Sequence, residues 1–159
     1  MTRVLLVCTG NICRSPLAEA LMRQELEALG RSDIEVTSAG TGAWDGAPAS
    51  EGAYLVGLEH GLDLSAHRAR LLTRDLVQAA DLVLTMARHH RARAQELGGE
   101  GRTHVLGEYA GRTGQDAEVS DPFGGDLDVY RETFGELEAL VKAAVRRLVT
   151  ELPREDPGQ

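Results

Sequence analysis

Residues 8–15 read CTGNICRS, and three of these eight side chains carry chemistry: Cys8, Cys13 and Arg14. A cysteine followed six residues later by an arginine can set a nucleophile at the floor of an anion cradle. The backbone N–H groups of Thr9, Gly10, Asn11, Ile12, Cys13 and Arg14 would turn inward, and the start of a following helix would add a dipole that favours an anion. Gly10 permits a backbone conformation that a side chain would obstruct. Arg14 can grip two phosphate oxygens at once through its planar fork, a geometry lysine lacks. Together these groups surround Cys8 with the positive potential that a thiolate nucleophile requires. A thiolate facing a bound phosphoryl group can attack phosphorus in line and form a phosphocysteine. The hydroxyl of Ser15 is then placed to hydrogen-bond the sulfur and stabilise it as the leaving group of the second step. A redox or metal pair is the blander reading of the two cysteines, but a dithiol redox site is typically C-x-x-C, and the spacing here is wrong for it.

Such a loop needs a buried strand before it and a helix after it, and the flanking residues fit both. VLLVC (4–8) is a continuous apolar run, the mark of a strand buried on both faces. From Pro16 to Leu29, Leu17, Ala20, Leu21, Leu26 and Leu29 fall at helical spacing, with Ser15 as the expected N-cap, Pro16 in the first turn and Gly30 as the stop. Further strands are expected over 34–40, 81–86 and 103–106, and helices over 48–60, 73–79 and 87–97. Residues 107–123 read as loop. A long amphipathic helix is expected from Leu127 to Leu152, with Leu137, Leu140, Val141, Ala144, Val145 and Leu148 on one face. Strands alternating with helices predict an α/β fold, a four-stranded parallel sheet covered on both faces, whose ligands bind at the carboxyl ends of the strands. CTGNICRS lies at such an end.

The chain has 159 residues, 42% of them hydrophobic and 26% charged, which suits one globular domain over 1–152 followed by a short disordered tail, 153–159. A formal net charge of −8 argues against nucleic acid as a partner. No apolar stretch reaches the length of a membrane span and the N-terminus lacks a signal-like segment, so a cytoplasmic protein is expected. Two cysteines cannot form a disulfide framework and in a reducing compartment are more often catalytic or redox-sensing. Oligomeric state is not readable from these features.

CTGNICRS resembles the C-x5-R-S signature of the low-molecular-weight protein tyrosine phosphatases. Its place near residue 8, the continuation GNICRSP and a late D-P pair make the resemblance specific. It extends through SAGTGAW (38–44), SAHRARLLT (65–73), DLVLTM (81–86) and DPFGG (121–125). The resemblance implies a phosphorylated protein as substrate and neither metal nor organic cofactor. It also implies that Asp121 is the general acid and base, which the chemistry needs because the leaving oxygen must be protonated as the P–O bond breaks. From the residues alone, Asp121-Pro122 is equally a turn or a helix cap. Asn11, Ser15, Ser38 and His67 match a family network that supports the loop, and Asn is a residue that tolerates a left-handed backbone there. By themselves, Ser38 reads as a strand-end hydroxyl and His67 as a surface histidine. The resemblance further implies that Cys13 can close a reversible disulfide with Cys8; the plain alternative is a small buried hydrophobe. His60, His89, His90 and His104 take no role, the pair His89–His90 reading as a solvated helix face. Tyr130 reads as a packing residue of the last helix.

Substrate class turns on a few side chains. Ile12 occupies the position where tyrosine-directed members carry an apolar residue and the related protein-arginine phosphatases carry threonine. Trp44 and Phe123 could flank a phenyl ring. The Phe123-Gly124-Gly125 run instead resembles the arginine-directed type, and Asp126 and Asp128 leave that side acidic. The expectation is therefore phosphotyrosine, with phosphoarginine as the alternative. An arsenate reductase of this fold would need further cysteines to relay a disulfide, and none follows Cys13. A non-catalytic phosphate-binding module predicts loss of the nucleophile, the arginine or the acid, and all three are present.

Overall fold

The computed structural model describes residues 1–153. From Arg154 on, the tail expected to be disordered lies outside the described residues. Four strands, β1 (Thr2–Cys8), β2 (Ile34–Gly40), β3 (Leu82–Thr85) and β4 (Thr103–Val105), form one parallel sheet in the order β2-β1-β3-β4. This is the four-stranded α/β sheet that the sequence pattern predicts. β1 lies between two partners, which is why VLLVC is apolar at every position: Val4 to Cys8 are all buried. Alternate side chains leave opposite faces. Val4 and Leu6 join the larger core with α1 (Arg14–Ala28) and α6 (Leu127–Glu151), through Leu17, Leu21, Met22, Leu137, Leu140 and Val141. Leu5 and Val7 face Leu72, Val77 and Ala94, on the side of α3 (Arg74–Ala79) and α4 (Arg88–Ala94). α2 (Glu51–Glu59) packs on α6.

Local differences from the sequence reading have identifiable causes. α1 begins at Arg14, with Cys13 at the N-cap and no side-chain cap hydrogen bond, so Ser15 is not the cap. Its hydroxyl is spent on Cys8 and Asn11 instead. α2 starts at Glu51 because Ser50 caps it, accepting from the Ala53 N–H. The helix expected over 87–97 changes at Gln95 into a wider turn that ends where Gly98 takes φ 102°. Residues 107–123, expected to be loop, contain the short α5 (Leu106–Tyr109) and a 3₁₀ turn, Gly114–Ala117. Tertiary contacts order that segment: Tyr109 is buried, its hydroxyl donates to Glu151 Oε2 at 3.0 Å, and Arg147 lies 4.0 Å over its ring.

Two connections place the site. The first is the loop that follows β1, which returns against β2: the Thr41 N–H donates to the Cys8 carbonyl and the Gly42 N–H to that of Thr9, both at 2.9 Å. The second is the Val119 N–H, which donates to the Met86 carbonyl just past β3 and ties the segment leading to Asp121 to the carboxyl edge of the sheet. Gly40 closes the first connection. A Cβ there would run into the Thr9 carbonyl and the Asn11 amide, backbone atoms that cannot swing aside. Gly40→Ala is therefore expected to destabilise the protein by about 1–3 kcal/mol in urea unfolding, and wild-type stability in that variant would show that the loop can shift.

Candidate active site

Residues 8–15 wrap around the Cys8 sulfur. Ser15 Oγ lies 2.9 Å from Sγ, and the Asn11 N–H donates to Sγ at 3.3 Å. Asn11 is fully buried and is the one non-glycine residue with positive φ (55°) among the described residues. Four neighbours hold it. The Arg70 N–H donates to its Oδ1 at 2.9 Å, which fixes the orientation of the amide because a backbone N–H can meet only the oxygen. Its Nδ2 then donates to Ser15 Oγ at 2.7 Å and to Ser38 Oγ at 2.9 Å. His67 Nε2 donates to the Asn11 carbonyl at 2.6 Å. While it accepts from the amide, the Ser15 hydroxyl also keeps its hydrogen-bond contact with the sulfur, in which either atom can donate. Ser38 passes its hydrogen to Glu19 Oε1 at 2.7 Å, and Arg70 Nε donates to the Ser38 carbonyl. The structure thus brings Asn11, Ser15, Ser38 and His67 into one network and adds Arg70 and Glu19.

Arg14 is buried against the floor, its Nη1 donating to the Val119 carbonyl at 3.0 Å and its Nη2 lying 3.6 Å from Asp121 Oδ2. Its Nε has no partner among the described residues, a buried donor that an oxyanion oxygen would satisfy. Asp121 is about half exposed and its Oδ1 accepts from the Phe123 N–H at 3.1 Å, so the turn geometry also holds. A cleft of about 350 Å³ is lined by Cys8, Thr9, Gly10, Ile12, Cys13, Arg14, Gly42, Trp44, Asp121 and Phe123. Trp44 and Phe123 stand exposed at its mouth, 84% and 67% accessible, as free apolar surfaces rather than packing residues. No three His, Cys, Asp or Glu side chains among the described residues could together hold a metal ion.

The two thiols, both free and buried, differ in setting. Cys13 Sγ donates to Ser50 Oγ at 3.2 Å and lies 3.3 Å from the Tyr130 hydroxyl; Ser50 and Tyr130 are 3.1 Å apart. Burial, foremost, raises the Cys13 thiol above its ordinary value, against those two hydrogen bonds. Tyr130, pushed up to about 12 chiefly by burial, stacks its ring over Gly52, where no Cβ would fit. This triad was invisible in the sequence, because Ser50 and Tyr130 lie 37 and 117 residues from Cys13.

His90 requires a correction. Its neighbour His89 is exposed, but His90 is fully buried beneath the loop, with Nε2 at 2.8 Å from Thr9 Oγ1 and Nδ1 accepting from the Ala87 N–H at 3.1 Å. The turn of α4 aims it at the sheet edge, and adjacent basic residues in the sequence masked that. Burial lowers its pKa to about 3, with the charges of His89 and Arg14 adding to the effect.

A thiol on a phosphate-sized loop, a buried arginine and a nearby carboxylate at the carboxyl edge of a parallel sheet define a cysteine-dependent phosphatase architecture. The comparisons with known proteins agree. The model of the low molecular weight phosphotyrosine protein phosphatase family matches residues 3–156, and the chain belongs to that family. It is 41% identical over 140 residues to low molecular weight protein-tyrosine phosphatase A of Mycobacterium bovis, covering 86% of this chain and 85% of that protein. It is 39% identical over 151 residues to a protein-arginine-phosphatase of Geobacillus stearothermophilus, covering 94% and 97%. The crystal structure of a low molecular weight protein tyrosine phosphatase from T. tengcongensis superposes with a TM-score of 0.85 at 40% identity, over 92% of this chain and 99% of that one.

The depressed value of His90 fixes the sign of a pH effect. Above about 6.5 the ring is neutral in both folded and unfolded chains. As the pH falls from there toward 3, only the unfolded chain takes up the proton, so stability is lost. Urea midpoints measured across that window are expected to fall less steeply in His90→Gln than in wild type. Parallel curves would show that His90 is protonated in the fold.

Proposed function

We propose that this protein hydrolyses phosphotyrosine in protein substrates through a phosphocysteine intermediate. The observation that carries the reading is the convergence of Cys8, Arg14 and Asp121 on one cleft whose remaining walls include Ile12, Trp44 and Phe123. The phosphoryl group sits in the cradle of residues 9–14, its oxygens held by loop amides and by the Arg14 guanidinium. The Cys8 sulfur attacks phosphorus as the bond to the leaving oxygen breaks, and Asp121 gives that oxygen its proton. Asp121, now a carboxylate, takes a proton from water. The water oxygen bonds to phosphorus, the P–S bond breaks, and phosphate leaves with the sulfur stabilised by the Ser15 hydroxyl and the Asn11 N–H. Asn11, Ser38 and His67 hold the loop in shape.

The apolar side chain of Ile12 and the exposed aromatics suit a phenyl ring and offer no hydroxyl to a guanidinium. Phosphoarginine is the second reading, supported by the DPFGG run and by the likeness to a protein-arginine-phosphatase. The two free thiols suit a reducing compartment, and we place the protein in the cytoplasm; no helix among the described residues is long and apolar enough to cross a membrane. Cys13 shares the loop and the cleft with Cys8. Should a peroxide oxidise Cys8 to the sulfenic acid, the Cys13 sulfur can displace water from it and form the disulfide.

Initial rates on a phosphotyrosine and a phosphoarginine peptide test the assignment. Wild type is expected to prefer phosphotyrosine, Ile12→Thr to lose part of that preference, and Cys8→Ser to lose turnover entirely. Faster release of phosphate from phosphoarginine by wild type would reverse the order of the two readings, and turnover by Cys8→Ser would end both. Asp121→Asn is expected to lower kcat by roughly 10²–10⁴ with little change in KM; unaltered kcat would assign the acid elsewhere.

A further inference from the structure

The side chains of Thr9 and His90 form a hydrogen-bonded pair that the reaction described above, which draws only on the Thr9 N–H, leaves unused. The tautomer of His90 follows from its neighbours. The Ala87 backbone N–H can only donate, so Nδ1, 3.1 Å away, carries a lone pair and no hydrogen. Burial and the nearby charges of His89 and Arg14 keep the ring neutral. The single ring hydrogen is therefore on Nε2, which donates to Thr9 Oγ1 at 2.8 Å. That donation uses one lone pair of the threonine oxygen and leaves its own hydrogen to be given elsewhere. Among the described residues the Thr9 hydroxyl has no acceptor. Thr9 is exposed and lines the same cleft as Cys8, Arg14 and Asp121. Arg14 Nε is likewise a donor without a partner there. The cleft thus holds two unspent donors, one buried beneath the phosphoryl site and one on its wall.

We propose that Thr9 binds substrate directly, its hydroxyl donating to an oxygen of the bound phosphorylated protein, and that His90 is the positioning residue that aims it. The acceptor is a phosphoryl oxygen or a carbonyl oxygen of the substrate chain, both of which take a hydroxyl hydrogen in the same way. His90 does this from outside the cleft: the imidazole fixes the Thr9 side chain from below, so that the hydroxyl need not be ordered when substrate arrives. The proposal rests on the phosphatase reading of the cleft and adds a contact to it.

The test is steady-state kinetics on a small aryl phosphate and on a phosphotyrosine peptide. Thr9→Val keeps the shape and removes the hydroxyl. It is expected to raise KM about tenfold, as loss of a hydrogen bond to a charged or strongly polar oxygen does, while kcat stays close to wild type. Loss on both substrates identifies a phosphoryl oxygen; loss on the peptide alone identifies the substrate chain. Thr9→Ser, which keeps the hydroxyl, is expected to restore most of the affinity. His90→Leu should raise KM as Thr9→Val does, the double variant should be no worse than either, and His90→Gln should recover part of the loss. A merely structural role would disturb Cys8 and lower kcat instead. Wild-type KM in Thr9→Val on both substrates, a Thr9→Ser variant as impaired as Thr9→Val, or full additivity in the double variant would each overturn the proposal. Nitrogen chemical shifts of the His90 ring give a check that needs no variant: hydrogen on Nδ1 rather than Nε2 would also overturn it. None of these outcomes touches the requirement for Cys8, so failure here is distinct from failure of the phosphatase reading.

Discussion

The site depends on one residue held in an uncommon backbone conformation. Asn11, at φ 55°, reverses the loop so that its N–H points back at the Cys8 sulfur. A left-handed backbone is costly for most side chains and tolerable for asparagine, and it persists only where its surroundings over-determine it. Here the surroundings are complete: the amide oxygen, both amide hydrogens and the main-chain carbonyl each have a partner. The same hydrogen bonds that stabilise the conformation also hold the Ser15 hydroxyl against the sulfur. The shape of the loop and the surroundings of the sulfur are therefore set by a single network.

That network draws on distant segments. Ser38 comes from β2, Glu19 from α1, and His67 and Arg70 from the stretch between α2 and α3. The sheet brings them together because β1 is flanked by β2 on one side and β3 on the other. β2 delivers the support, while β3, through the Met86 carbonyl and Val119, delivers the segment that carries Asp121. Cys8 and Asp121 lie 113 residues apart in number, yet Arg14, six residues after Cys8, places its guanidinium 3.6 Å from the Asp121 carboxylate.

The two cysteines show how setting, and not residue type, divides labour within one loop. Cys8 accepts the Asn11 N–H at its sulfur and shares a hydrogen bond with the Ser15 hydroxyl. Cys13 is buried on the side of α6 and donates its own hydrogen to Ser50. Burial, against its two hydrogen bonds, raises the Cys13 thiol above its ordinary value and keeps it protonated.

What the sequence determined by itself is local. The apolar run of β1, the Cys8–Arg14 spacing and the stripe along α6 are each set by residues within one element, so the sheet, the loop and the long helix were legible. Family resemblance extended this to Asp121, Ser38 and His67, whose types alone fit a turn, a strand end or a surface position. Tertiary structure decided the rest. Ser15 reads both as a helix cap and as a partner of the Cys8 sulfur; the fold keeps the second role, drops the first and adds Asn11. His90, beside an exposed His89 and two arginines, reads as solvated; the rotation of α4 over the sheet edge buries it under Thr9. Ser50 and Tyr130 carry no motif and meet Cys13 only because α2 and α6 pack together. Hydrogen-bond partners in a buried network are chosen by where elements cross, and one strand's periodicity cannot encode the position of another.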